Sequence, residues 1–132
     1  MKKTVLVLIL AGVLHACEST DVVPEFIPER IEDTASARVT CKSKEGVFYL
    51  FTATVSEYTI TVTEMNNDLD LTFGHYDDSN QYEDQRVIAV SKSPGLSDER
   101  IVAETTPGCD YLIEVFNYSS DTAHGTLVLE QE

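Results

Sequence analysis

The run Tyr58-Thr59-Ile60-Thr61-Val62-Thr63 alternates apolar and polar side chains without a break. On an extended strand successive side chains point to opposite faces, so a period of two puts Tyr58, Ile60 and Val62 on one face and the threonines on the other. A helix would scatter the same residues around its circumference, and β-branched side chains further favour a strand. Comparable runs follow one another along the chain: Ala37 to Lys42, Val47 to Ala53, Tyr58 to Thr63, Leu69 to Phe73, Arg86 to Ser91, Ile101 to Thr105, Asp110 to Tyr118 and Gly125 to Glu130. Pro94-Gly95 and Pro107-Gly108 mark turns between them. No amphipathic helix of useful length stands out. The expectation is an all-β chain, an antiparallel jelly-roll or Greek-key β-sandwich of about eight short strands. Its first two strands are expected to pair, the second, Val47-Phe48-Tyr49-Leu50-Phe51, being apolar enough to be buried on both faces.

The N-terminus follows a different logic. Met1-Lys2-Lys3 precedes an apolar run from Val5 to Leu14 and then His15-Ala16-Cys17, the order of a secretory signal peptide. The run is too short for a retained membrane span, which needs about 20 apolar residues. Leu14-His15-Ala16-Cys17 resembles the lipobox of bacterial lipoproteins, although His15 departs from its usual small or aliphatic residue. That resemblance implies cleavage after residue 16 and lipidation of Cys17, with two or three acyl chains as a stable membrane anchor. Glu18 is not the aspartate that retains lipoproteins at the inner membrane of enteric bacteria, so the outer membrane is expected. Residues 1–16 are read as signal peptide, 17–36 as lipidated cysteine and tether, with Pro24, Pro28 and a Phe26-Ile27 pair that packs on the domain, and 37–132 as the sandwich.

The formal charge is −14, and because residues 1–16 contain two lysines and no acid, the remaining 116 residues carry −16. Nucleic acid and anionic lipid surfaces repel such a chain; cationic proteins and divalent ions suit it. One domain, expected as a monomer, fits the length. With Cys17 assigned to lipid, Cys41 and Cys109 remain in a compartment that permits disulfides, and a bridge between them would close a loop of about 70 residues, worth on the order of 4 kcal/mol. A zinc site using both cysteines and a histidine is the lesser alternative.

Beyond residue 16 there are two histidines, His75 and His124, and no nucleophile elbow, zinc-protease helix motif, phosphate-binding loop or Cys-x-x-Cys, so the chain is not expected to be an enzyme. The stretch that looks most like a site is Asn66-Asn67-Asp68-Leu69-Asp70-Leu71-Thr72-Phe73-Gly74-His75-Tyr76-Asp77-Asp78. It is not an EF-hand: counted from Asp68, position 6 is Phe73 and position 12 is Ser79, where glycine and glutamate are needed. Strand alternation nevertheless puts Asp68, Asp70 and Thr72 on the face opposite Leu69, Leu71 and Phe73. Asp68 and Asp70, joined by Asp77 or Asp78, would offer part of a calcium shell. The alternative is structural, with Asp68 capping the Asn66-Asn67 turn and Asp70 hydrogen-bonded to backbone or a nearby loop. Tyr76, Tyr82 and Tyr118, at strand ends or in loops, are candidate ligand-binding aromatics.

Taken in order, Phe48-Tyr49-Leu50-Phe51, Thr59-Ile60-Thr61-Val62, Asp68-Leu69-Asp70-Leu71, Gly108-Cys109-Asp110-Tyr111-Leu112-Ile113-Glu114-Val115 and Gly125-Thr126-Leu127-Val128-Leu129 resemble the pre-peptidase C-terminal (PPC) domain of bacterial secreted peptidases. The resemblance covers about 85 residues. It implies a small jelly-roll sandwich, usually appended to a peptidase and related to collagen-binding modules that use calcium. Residues 77 to 106 lack the cysteine pair that many members carry, and the domain is expected to stand behind a lipid anchor rather than a peptidase. The expected function is a non-enzymatic cell-envelope module binding a protein or polysaccharide, with calcium as a possible aid. The other reading is an inhibitor or immunity lipoprotein that blocks a cationic enzyme or toxin through its acidic surface.

Overall fold

The computed structural model describes residues 27–76 and 87–132, where every alternating run is a strand. These are β1 (Glu29–Arg30), β2 (Ser36–Cys41), β3 (Gly46–Thr52), β4 (Glu57–Thr63), β5 (Leu69–His75), β6 (Val87–Ser91), β7 (Glu99–Glu104), β8 (Asp110–Asn117) and β9 (Ala123–Gln131). Two sheets face each other, one in the order β1-β3-β8-β5-β6 and one in the order β2-β9-β4-β7. Every pairing is antiparallel except that of β1 with β3. The architecture is thus the expected all-β sandwich, and among the described residues there is no helix.

The first two expected strands do not pair with each other. β2 pairs with β9, whereas β3 lies between β1 and β8. Between them the chain turns through Lys44, whose φ of 59° is left-handed, and steps from one sheet to the other. Burial explains the outcome. β2 buries Val39 and Cys41 fully and Ala37 in part, while Tyr49, Leu50 and Phe51 are consecutive and all buried, which suits the interior of a sheet. Most later connections also cross between sheets, and β5–β6 is the one hairpin formed within a sheet by consecutive described strands.

The additional strand, β1, falls in the segment expected to be tether. Ile31 N donates to Leu50 O at 2.9 Å and Ile31 packs on the core, so ordered structure reaches back to Glu29. Ile27, expected to pack on the domain, is 76 % exposed. The signal peptide, Cys17 and Phe26 lie outside the described residues.

Between the sheets Phe51 is edge-on to Tyr58 at 5.1 Å, and Phe73 stacks on Tyr111 at 5.2 Å. Ile60, Val62, Leu69, Leu71, Ile113, Val115, Leu127 and Leu129 fill the space around these rings. Burying each such side chain contributes roughly 1.5–3 kcal/mol. The tyrosine hydroxyls reach polar partners at the rim. Tyr58 accepts from Thr54 N at 2.8 Å and donates to Asp33 at 2.9 Å, and Tyr111 accepts from Thr106 N at 2.7 Å.

The expected Cys41–Cys109 disulfide is not formed. Cys41 ends β2, buried, with its thiol donating to Val115 O at 3.4 Å near the end of β8. Cys109 is exposed and immediately precedes Asp110, where β8 begins. Six residues of strand separate Val115 from Cys109, about 20 Å at the strand rise, while a disulfide needs Cα atoms closer than about 7 Å. The same separation removes a zinc site using both. Burial instead pushes the Cys41 thiol up to about 11, so it remains protonated as a small apolar side chain.

Candidate functional site

β5 begins at Leu69 and pairs with β6 such that Leu71 lies opposite Ser91. Beyond Ser91 the chain turns at Pro94-Gly95, with Gly95 at a φ of 71°, and enters β7 at Glu99 in the other sheet. β7 packs beside both β5 and β6, so the two sheets meet along this margin. The result is a group of three acids. One carboxylate oxygen each of Asp68, Asp70 and Glu99 lies within 4.8 Å of the others.

The three sit in different surroundings. Glu99 is 0 % exposed and held from both sides, since Ser91 Oγ donates to Oε2 and Ser93 N donates to Oε1 at 2.7 Å. Ser91 is itself fixed by Arg100 N at 3.2 Å. Asp68 presents a buried Oδ1 with no hydrogen-bond partner. Burial, and next the negative charge of Asp68, raise the Asp70 carboxyl above the usual carboxylate range; Lys92 pulls the other way, and Glu99 adds a lesser upward push. Among the described residues no lysine, arginine or histidine forms an ion pair with any of the three. Buried negative charge ordinarily meets a cation or a donor, and here part of it meets neither.

The sequence therefore placed two of these acids on one face correctly and missed the third. In β7 the core-facing positions are Glu99, Ile101 and Ala103. Extending the alternation of Ile101 and Ala103 back by two residues puts a glutamate on the core face, and an acid at a core position was the available signal. The alternative role for Asp68 is not the observed one. Asn67 Oδ1 accepts from Asp68 N at 3.0 Å and Asn66 Oδ1 from His124 N at 2.6 Å, so the asparagines organise the turn. Asp77 and Asp78 lie outside the described residues. The chain leading to them has left the three acids, because β5 runs about 20 Å to Tyr76, whose N–H bonds Asp110 O at the start of β8.

The aromatic candidates separate in the same way. Tyr76 stands beside the start of β8, Tyr118 follows its end, and Tyr82 is outside the described residues. Tyr118 is 51 % exposed, with its ring 4.4 Å from Phe116 and Lys92 Nζ 5.9 Å above it. Phe116 lies opposite Asp70, on the outer face of the five-stranded sheet. Val90, two strands away and opposite Thr72, shares that face and is exposed, as are Val87 and Ile88 beside the bulge in the β5–β6 pairing. The outer surface near the acids therefore carries an aromatic pair and an aliphatic strand.

The histidines form no site with one another. His75 is exposed, its ring 5.2 Å from Tyr111, and His124 Nδ1 shares a 3.1 Å hydrogen bond with Thr40 Oγ1.

No protein-family model and no curated protein matches the sequence. Solved structures do match the fold. The pre-peptidase C-terminal domain of a collagenase from Bacillus anthracis superposes with a TM-score of 0.63 at 16% identity, over 82% of this chain and 99% of that one. The mitogen YPM of Yersinia pseudotuberculosis gives 0.56 at 18% identity, over 80% and 88%. PliG of Aeromonas hydrophila, a periplasmic lysozyme inhibitor of g-type lysozyme, gives 0.55 at 13% identity, over 77% and 95%. At such identities the likeness is one of fold, and the fold is a PPC-like β-sandwich.

Proposed function

We propose that this chain is a secreted, non-enzymatic envelope module that binds a protein partner through the outer face of its five-stranded sheet. The supporting observation is the exposed Tyr118 ring seated on Phe116, beside the exposed aliphatic residues of β6. Rigid aromatics next to aliphatic surface are the usual anchors of protein contacts. The adjoining acids and the overall charge of −14 give that patch a negative rim, which favours a cationic partner and speeds its encounter. The fold is suited to such work in other settings, being shared with a peptidase-appended domain and with an inhibitor of lysozyme. The lipobox-like Cys17 would hold the module at the outer membrane, and palmitate labelling lost in Cys17→Ser is the check on that part.

Binding of the purified chain to g-type lysozyme, to other cationic envelope enzymes and to envelope polysaccharides tests the reading. A protein ligand whose affinity falls about tenfold or more in Tyr118→Ala supports it. A ligand bound equally by parent and variant overturns the assignment of the face. The inhibitor reading is favoured by the acidic surface and by the fold shared with PliG. It requires the contact to weaken steeply as the Debye length shrinks from about 30 Å at 0.01 M salt to about 8 Å at 0.15 M.

A further inference from the structure

We infer that Asp68, Asp70 and Glu99, with Ser91, form a calcium site that ties β5 and β6 of one sheet to β7 of the other. This does not depend on the proposed partner. Two ligands of one calcium ion, each 2.3–2.6 Å from it, lie at most about 5 Å apart, and the three carboxylates meet that limit at 4.8 Å. The three ligand groups are carboxylates, the hard oxygen ligands that calcium prefers, the Ser91 hydroxyl lies beside them on Glu99, and neither cysteine belongs to the group. They supply three to five of the six to eight oxygens calcium takes, leaving water to complete the shell on the solvent side.

Two observations beyond acidity point to an ion. Asp68 Oδ1 is closed to solvent and has no donor, so an ionised carboxylate there bears a desolvation cost that a cation would remove. Glu99 is fully buried and its two hydrogen bonds hold it in place beside the other carboxylates. Both hydrogen bonds are donated to its oxygens, by Ser91 Oγ and Ser93 N, and neither donor is a cation. A structural acid would be matched by a counter-charge. Lys92, the nearest cation to act on Asp70, forms no ion pair with the group among the described residues.

The test is thermal unfolding of the purified chain at neutral pH, followed by circular dichroism in EDTA, in calcium and in magnesium. Calcium-binding extracellular modules have Kd values of about 10⁻⁴–10⁻³ M, so about 10 mM calcium should be near saturation. The midpoint should rise by roughly 10 °C when calcium stands at about a hundred times Kd. Magnesium, which dehydrates reluctantly and demands tighter geometry, should give a clearly smaller rise. Asp68→Asn and Asp70→Asn should each abolish the calcium increment while melting in EDTA at or above the parent, because a repelling charge has gone. That behaviour separates loss of a ligand from loss of the fold, and Glu99→Gln, a riskier change at a buried position, should lose the increment too. Glu29→Gln, exposed on β1 at the opposite edge of the five-stranded sheet from β6, should keep it. No calcium shift in the parent overturns the inference, as does a shift retained in both aspartate variants. An equal response to magnesium overturns the assignment to calcium.

Discussion

Asp33 and Asp70 are the same residue in opposite electrostatic settings. Asp33 stands among donors: Thr54 Oγ1, the Tyr58 hydroxyl at 2.9 Å and Gln131 Nε2 at 2.6 Å all reach its Oδ2. Those hydrogen bonds, Thr54 first, hold its carboxyl below the usual value. Asp70 stands among acids, with its carboxyl raised by burial and by Asp68 and Glu99. Asn117 extends the first pattern to a fully buried group. Its Nδ2 donates to the carbonyls of Cys41, Lys42 and Asp121 at 3.1, 3.2 and 2.7 Å, while Oδ1 accepts from Ser119 N and Oγ at 2.9 and 2.7 Å. A polar group that serves only the fold has its partners supplied by the fold. The three acids at the β5–β7 margin are incompletely supplied, and the difference separates architecture from a place for something else.

The largest expected effect lies on the satisfied side of this contrast. Asn117→Leu removes one donor from three buried or part-buried carbonyls, of which Lys42 O keeps Glu45 N and Asp121 O keeps Ser119 Oγ, takes the acceptor from Ser119 N, and should cost about 3 kcal/mol in urea unfolding. The loss should be the same in calcium and in EDTA; a loss confined to one condition would link Asn117 to the acidic group.

Asp33→Ala should cost about 1 kcal/mol, a figure kept small because the site is partly solvated, as it removes the acceptor shared by Tyr58, Thr54 and Gln131. No change in the urea midpoint would mean that water replaces the carboxylate fully.

Acid titration of stability in EDTA should distinguish the two aspartates by sign. Asp33, with its folded pKa below the 3.8 reference, contributes stability above that pH and loses it as pH falls through the lowered value. Asp70, with its folded pKa above 3.8, contributes stability fully present below 3.8 and lost as pH rises through the raised value. Between neutrality and pH 4, Asp70→Asn should therefore flatten a gain in stability on acidification. Asp33→Asn should flatten a loss below about pH 4. The same sign for both would dissolve the contrast.

The smallest effect concerns the cysteines. Reductant should leave the melting temperature unchanged, and a thiol reagent should modify exposed Cys109 in the native chain while sparing buried Cys41. A lower melting temperature on reduction would restore the 41–109 bridge.

Much of the fold was legible because strand alternation is local. The eight expected runs became β2 to β9, and the side chains assigned inward in β4 and β5 are buried. Pairing was less legible, since β2 and β3 adjoin in sequence and lie in different sheets. The two-residue β1 had no alternation to show and exists because β3 offers it an edge. At the margin, Asp68 and Asp70 could be read from one strand. Glu99 could not be joined to them by spacing, because it arrives from the opposite sheet 29 positions after Asp70.

By itself the sequence determined what each short segment can do: extend, turn, bury one face or both, and carry strong negative charge. The tertiary structure alone decided which segments meet. It kept Cys41 from Cys109 by setting them near opposite ends of β8, and it brought Glu99 to Asp68 and Asp70 where two sheets converge. The physical reason is range. Backbone geometry and side-chain periodicity act over a few residues, whereas sheet order is chosen by burial summed over the whole chain, and sites built across sheets inherit that choice.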